Sequence, residues 1–361
     1  MDSPFAKELA TSFGALRKAA QLSQSIASAS AADKGVLEKD DLSPVTVADF
    51  AIQALLMATF RRAFPGDRFV GEEDASGLRR NDLLLSRVWD LLREIRHDED
   101  EDASPVQSRE HVCQLIDLAA STAPGGKGSG RTWVFDPIDG TRTYVRGELY
   151  AINVALLVDG EQVLGSVGCP NMSMHAAAPL GNRDIDPLGR GCIVFAVRGH
   201  GAYVRSMAAA GDAVVRPLPP AAREGDVRFV TCVGMADSAL DGVHEAVADR
   251  LGAAAFPGCD LVPWVLRWAT LALGLGNTTV WVYKRRDRYA KVWDHAGAML
   301  LFQETGGKIT DVLGRPIDLA AGRKLSANFG FVAAPEHLHG RVLDAVHQVL
   351  REQGHGDMLA A

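Results

Sequence analysis

Trp133-Val-Phe-Asp-Pro-Ile-Asp-Gly-Thr141 decides how this chain is read. Residues 131–135 read as a strand that delivers Asp136 at its end. Pro137 fixes φ and withdraws one amide donor. Gly140 permits a tight turn. Together they can hold Asp136 and Asp139 on one side of that turn, where two carboxylates repel unless a cation lies between them. The amides after Asp139 can face an anion, and Thr141 adds a hydroxyl. Taken alone, the stretch could still be an ordinary acidic turn.

Two distant segments carry matching groups: Glu72 in Val70-Gly-Glu-Glu-Asp74, and Asp294 in Val292-Trp-Asp-His-Ala296. Alone, Glu72 and Glu73 could mark a surface turn, and Asp294 could be an N-cap. Trp293 and His295 read as packing and orientation. Jointly, the three segments all read as strand end or helix start, where α/β folds put their ligands. Oxygen-only ligation selects hard ions, magnesium first. A magnesium cluster beside a glycine turn with a hydroxyl is equipment for hydrolysing a phosphate ester.

Around these segments strands and helices alternate. Helices are expected over 5–30, 49–64, 87–96, 264–273 and 336–352, with a further one starting at Asp294 and ending at Gly306-Gly307. Strands are expected over 68–71, 191–197, 228–233, 278–283 and 330–334. Ala151 to Val158 and Gln162 to Val167 flank Asp159-Gly160, a strong hairpin signal. Residues 121–130 read as a flexible loop, the charge run 97–102 as a solvated one, and 206–226 as a surface connection. The class is mixed α/β (α+β). The pattern breaks near 170–185, which predicts an N-terminal subdomain over 1–175 with most of the acidic ligands. A C-terminal one over 176–361 would carry Asp294 and most of the substrate pocket.

The 361 residues are 47% apolar, enough for a sizeable core, and carry a formal charge of −7. That charge argues against a general nucleic-acid binder. The five cysteines are widely spaced without a CxxC pair, against zinc or a disulfide framework and in favour of a reducing compartment. No window is long and apolar enough to span a bilayer, and the N-terminus lacks the features of a signal peptide. The expectation is a soluble, cytoplasmic protein, monomer or homodimer, without a nucleic-acid or membrane partner. GxGxxG is absent, and Gly125-Gly-Lys-Gly-Ser-Gly130 lacks P-loop spacing, against nucleotide-loop folds.

The segments Gly71-Glu-Glu73, Asp136-Pro-Ile-Asp-Gly-Thr141 and Trp293-Asp294 resemble the inositol monophosphatase superfamily of lithium-sensitive, magnesium-dependent phosphatases. The longer context looks closest to the 3′(2′),5′-bisphosphate nucleotidases. It includes Ser43-Pro-Val-Thr46, Ser76-Gly-Leu78, the run from Trp133 to Gly147, Val158-Asp-Gly160, Gly168-Cys-Pro-Asn171, Ala196-Val-Arg-Gly199 and Lys291-Val-Trp-Asp-His-Ala296. The resemblance implies a layered αβαβα sandwich and two or three Mg2+ ions. It implies that Glu72, Asp136 and the Ile138 carbonyl hold one ion, and Asp136, Asp139 and Asp294 a second. Thr141, paired with Asp49 or Glu72, would orient and deprotonate the attacking water. Gly140, Thr141, Trp264, Arg267 and Lys291 would meet a small phosphorylated substrate.

Nucleotidases of this branch carry a Ser-His segment where this chain has Cys232-Val-Gly-Met-Ala-Asp-Ser-Ala-Leu240, and a serine and a lysine where it has Trp264 and Arg267. Arg267 can still grip a phosphate. Trp264 can stack on a base or simply be core. The Lys284-Arg285-Arg286 run is a further candidate for anion contact or a solvated basic loop. Three readings follow: hydrolysis of the 3′-phosphate of adenosine 3′,5′-bisphosphate or a related nucleotide such as 3′-phosphoadenylyl sulfate; the same chemistry on an inositol phosphate or specialised metabolite; or a catalytically silent metal- or nucleotide-binding relative.

Overall fold

The computed structural model describes residues 3–28, 37–38, 44–95, 106–207, 215–220, 226–234 and 237–360. The acidic run 97–102, Ser43, residues 29–30, and parts of 206–226 and 232–240 lie outside these. In chain order the first elements are α1 (Ala6–Ser28), β1 (Leu37–Glu38), β2 (Pro44–Val45), α2 (Val47–Ala63), β3 (Arg68–Gly71), α3 (Ser76–Arg79), α4 (Asp82–Glu94) and α5 (Arg109–Ala120). Next come β4 (Arg131–Asp139), α6 (Thr141–Val145), β5 (Ala151–Val158), β6 (Glu161–Cys169), β7 (Cys192–Val197), β8 (Ala202–Ser206) and β9 (Val215–Pro217). The rest are β10 (Val230–Thr231), α7 (Val243–Leu251), β11 (Cys259–Asp260), α8 (Trp264–Ala272), β12 (Thr279–Trp281), a 3-10 turn at Val292–Asp294, α9 (Ala298–Glu304), β13 (Gly307–Thr310), β14 (Phe331–Pro335) and α10 (Glu336–Glu352).

A seven-stranded sheet ordered β3-β4-β5-β6-β7-β8-β9 is the spine, with β3 parallel to β4 and the other pairs antiparallel. Its side chains alternate between two cores, as the pleat demands. Trp133, Phe135, Ile152, Val154, Leu156, Ile193 and Phe195 pack under α1, α2, α4 and α5. Val134, Ala155, Leu157, Val194 and Ala196 face α8 and α9. Beyond those two helices lies the three-stranded sheet β12-β14-β13, and α7 and α10 cover its far side. The layers therefore read α, β, α, β, α. The large sheet draws strands from 68–217, so it continues across residue 175.

The hairpin at Asp159-Gly160 forms as its turn chemistry predicts, with φ of 52° and 85°. The Asp159 carboxylate also accepts hydrogen bonds from the amides of Gly128 and Gly130, tying the glycine-rich loop to the turn. Some elements differ from the expectation. The strand from 131 continues to Asp139, whereas within 228–233 the strand spans only Val230–Thr231, with a single bridge from Phe229 to Thr278 beside it. The helix expected from Arg87 begins at Asp82 behind an Asn81 cap. α5, capped by Ser108, and α7 form where the sequence pattern predicts no helix. Asp294 lies in a 3-10 turn, and Gly297, at φ 76°, separates it from α9.

Candidate metal centre

The geometry begins with a bulge. In a regular strand, residues three apart face opposite sides. Asp136 pairs with Asn153 and Asp139 with Ala151, so β4 carries one more residue than β5 across this interval. The extra residue restores parity and brings Asp136 and Asp139 to the same side. Gly140 then turns the chain at φ 87° into α6, and a Cβ there would lie 2.5 Å from Pro263 Cγ at the start of α8. That close approach lets the Val265 amide donate to Asp139 Oδ2 at 2.6 Å. A carboxylate thus sits against the first turn of α8.

Asp294 reaches the same place from the 3-10 turn. One carboxylate oxygen from each of Asp136, Asp139 and Asp294 lies within 4.8 Å of the others. Asp136 and Asp139 are buried, and Asp294 keeps a partly exposed edge. Burial pushes all three pKa values up, and mutual repulsion adds to it. Asp136 also feels Glu72, Asp139, Asp294 and Asp49, and Asp294 feels Asp139 and Glu72. Asp139 is raised to about 7 by burial, although the Val265 amide and Arg267 oppose this. A bound cation reverses that balance.

Glu72 stands half-buried at the end of β3, close enough to act electrostatically on Asp136, Asp139 and Asp294. Asp49 is fully buried. Its Oδ2 accepts from the Thr46 amide (2.7 Å) and hydroxyl (2.6 Å), a capping box that fixes the start of α2. Thr141 Oγ1 donates toward Asp49 Oδ1 at 3.3 Å and lies 3.2 Å from the Ile138 carbonyl. Asp49, Glu72, Asp136, Ile138, Asp139, Thr141 and Asp294 thus converge from four segments distant in sequence.

The expected substrate contacts fall differently. Arg267 is buried, with its guanidinium 4.1 Å from the Trp264 ring and 4.6 Å from the Trp281 ring. Its Nε and Nη2 donate to the carbonyls of Leu261 and Val262, while Nη1 has no hydrogen-bond partner among the described residues. Trp264 packs within an aromatic cluster with Trp268, Trp281, His295 and Phe331. Lys291 stands 5.6 Å over Trp293, and its charge acts on Asp294. The basic run is already engaged. Lys284 pairs with Asp241, Arg285 with Asp287, and Arg286 donates to the carbonyls of Met358 and Ala360. His244 is buried and neutral, its pKa lowered to about 4 by burial, with Nε2 accepting from the Val282 amide.

Two further residues hold the acidic segments in place. Asn153 in β5 donates to the carbonyls of Trp293 (2.7 Å) and Ala296 (2.9 Å), clamping both sides of Asp294. Arg323 bonds the β3 end. A polar residue in the apolar run Ala151–Val158 was the signal for Asn153; nothing local marks Arg323. Asn153→Leu leaves two buried carbonyls unsatisfied and is expected to lower stability by about 2–4 kcal/mol. Urea unfolding checks this, and an unchanged midpoint would show that the two bonds carry no weight.

The inositol monophosphatase family model matches residues 5–351. A 3′(2′),5′-bisphosphate nucleotidase of Emericella nidulans is 34% identical over 351 residues, covering 93% of this chain and 96% of the relative. The Schizosaccharomyces pombe protein of the same name is 34% identical over 363 residues, covering 99% of each. Among solved structures, an IMPase of Thermotoga maritima superposes with a TM-score of 0.58 at 18% identity, covering 96% of this chain and 98% of that one. Inositol monophosphatase-II of Staphylococcus aureus gives 0.55 at 17% identity, covering 98% of each. These two likenesses bear on the fold, and the layered α/β architecture is theirs. By sequence over nearly its whole length, the chain belongs to the inositol monophosphatase family.

Proposed function

We propose that this protein is a magnesium-dependent phosphomonoesterase that removes the 3′-phosphate of adenosine 3′,5′-bisphosphate or a related nucleotide, 3′-phosphoadenylyl sulfate included. The observation that carries the metal dependence is Asp136 Oδ1, a buried acceptor without a hydrogen-bond partner among the described residues, inside a cluster of carboxylates that repel one another. Buried polar atoms are nearly always satisfied, so this one fits a cation ligand. The donors are all oxygen, which suits magnesium. Glu72, Asp136, Asp139, Asp294 and the Ile138 carbonyl are the groups that would hold two or three such ions.

Bound there, divalent cations supply charge neutralisation for phosphoryl transfer. The chain supplies the positioning. Asp49, locked by its capping box, accepts from the Thr141 hydroxyl, so the Thr141 oxygen keeps a lone pair for an incoming water. Thr141 and Asp49 then orient that water and take its proton. Gly140 and Thr141 offer backbone amides to phosphate oxygens. The nucleotide preference rests on the 3′(2′),5′-bisphosphate nucleotidases that match this chain nearly end to end.

One observation favours a second substrate class. With Arg267 closed in by Trp264 and Trp281 and bonded to two carbonyls, a second phosphate gains less from it than from an exposed cation. The same chemistry on an inositol phosphate or another small monophosphate would suit such a pocket. Phosphate release over nucleotide bisphosphates, sulfated nucleotides and inositol phosphates separates the two. Activity is expected to vanish in EDTA, return with Mg2+, and fall at millimolar lithium. No release from any of these with Mg2+ present would end the phosphatase reading, and a preference for inositol phosphate would select the second.

A further inference from the structure

We propose that Arg323 is a positioning residue that sets the separation between Glu72 and the Asp136–Asp139–Asp294 cluster, and so governs the affinity of the centre for divalent cations. The proposal rests on the reading of that cluster as a cation site. Arg323 bridges two of the segments that bring carboxylates to it. Its backbone belongs to the Asp294 side: the Arg323 carbonyl accepts from the Val292 amide at 3.0 Å, and Lys324 forms a bridge with Lys291. Val292 begins the 3-10 turn that carries Asp294.

Its side chain belongs to the Glu72 side. Nη2 donates to the carbonyl of Gly71 at 2.6 Å and lies 3.4 Å from that of Glu72. Nη1 donates to the carbonyls of Ala119 (3.0 Å) and Thr122 (3.1 Å), at the end of α5. The guanidinium also stacks 4.7 Å from the ring of Trp293, the residue before Asp294. Gln53 in turn holds Glu73 through its amide and carbonyl, at 2.8 and 2.7 Å. β3 ends at Gly71, so the strand ladder does not hold Glu72. Arg323 and Gln53 perform that task.

Only a planar fork can do this. Arginine presents donors in two directions and a flat face to an indole, whereas lysine concentrates three donors at one point. Charge alone is therefore insufficient, and Arg323→Lys is the informative variant. In the folded, cation-free protein, Mn2+ binding followed by electron paramagnetic resonance is expected to weaken about tenfold or more in Arg323→Lys, and further in Arg323→Gln. The Mg2+ concentration for half-maximal phosphate release should rise in parallel, with kcat at saturating Mg2+ within about threefold of wild type.

A residue that merely stabilises the fold would lower the melting temperature and leave Mn2+ affinity of the folded fraction unchanged. Affinity in Arg323→Lys within twofold of wild type would overturn the clamp while leaving the metal centre standing. Failure of the unaltered protein to bind Mn2+ would overturn the cation reading and the clamp with it. Should Arg323→Gln not fold, the lysine variant, which keeps charge and stem, decides alone.

Discussion

Asp139→Asn is expected to lose about 10²–10³-fold or more in turnover, and yet to melt higher than wild type when both are freed of cations at pH 8. The first effect follows from removing a charge at constant shape from the cluster with Asp136 and Asp294. Asparagine retains an acceptor for the Val265 amide, which Asp139 Oδ2 meets at 2.6 Å, so the approach of α8 survives.

The second effect follows from linkage. In the folded, cation-free protein the Asp139 pKa is raised to about 7, chiefly by burial. An unfolded aspartate titrates near ~3.9. Between those two values the folded state binds more protons than the unfolded one, so stability falls as pH rises through the window. Below the window both states are protonated and the difference disappears. An asparagine has nothing to titrate and escapes the loss. Cations are expected to restore stability to wild type in the same range, by binding the folded state. Thermal melts in EDTA at pH 5 and pH 8, with and without added Mg2+, test the whole scheme. Wild-type turnover in the variant would remove Asp139 from the centre. A variant that melts lower than wild type at pH 8 without cations would show that the buried charge is not a burden.

Gly165→Ala is expected to cost about 3 kcal/mol or more, and to weaken cation binding as well. A Cβ at this position in β6 would lie 2.1 Å from the carbonyl oxygen of Gly297 and 2.6 Å from its carbonyl carbon. The obstacle is backbone, so no side-chain rotation relieves it. Gly297 cannot easily retreat, since its own amide donates to Gln162 Oε1 at 3.0 Å and its φ is 76°. The strain therefore lifts the start of α9 from the sheet, and with it the segment that carries Asp294. Gly14→Ala is the control. It lies inside α1 with no described atom within 4 Å of its added Cβ, and should gain about 0.5–1 kcal/mol from helix propensity. Urea midpoints for the pair, read beside Mn2+ affinity, check the contrast. Equal midpoints would show that the sheet and α9 are not packed backbone to backbone.

Local chemistry made much of the architecture legible. The Asp159-Gly160 turn names its own hairpin, the pattern from Glu336 to Glu352 names the closing helix, and Phe69-Val70-Gly71 ends where the strand ends. α5 is capped by Ser108 and buries Val112, Cys113, Leu115, Ile116 and Ala119, although the sequence reading expects no element there. The carboxylates of the centre were legible for a different reason: like charges gathered beside a turn demand a partner, and their residue types name it.

What the sequence by itself determined is the local conformation and the chemistry of the acidic segments, because both depend on neighbours in the chain. The turn at Gly140, the hairpin at Asp159-Gly160 and the oxygen-only donor set all belong here. Only the tertiary structure decided which partners the long polar and aromatic side chains take. It folded Arg267 between Trp264 and Trp281, turned Asn153 toward the Asp294 segment, and sent Arg323 across 252 residues to the Gly71 carbonyl. Such groups reach acceptors from many directions, and the one they meet is settled by packing between segments far apart in sequence.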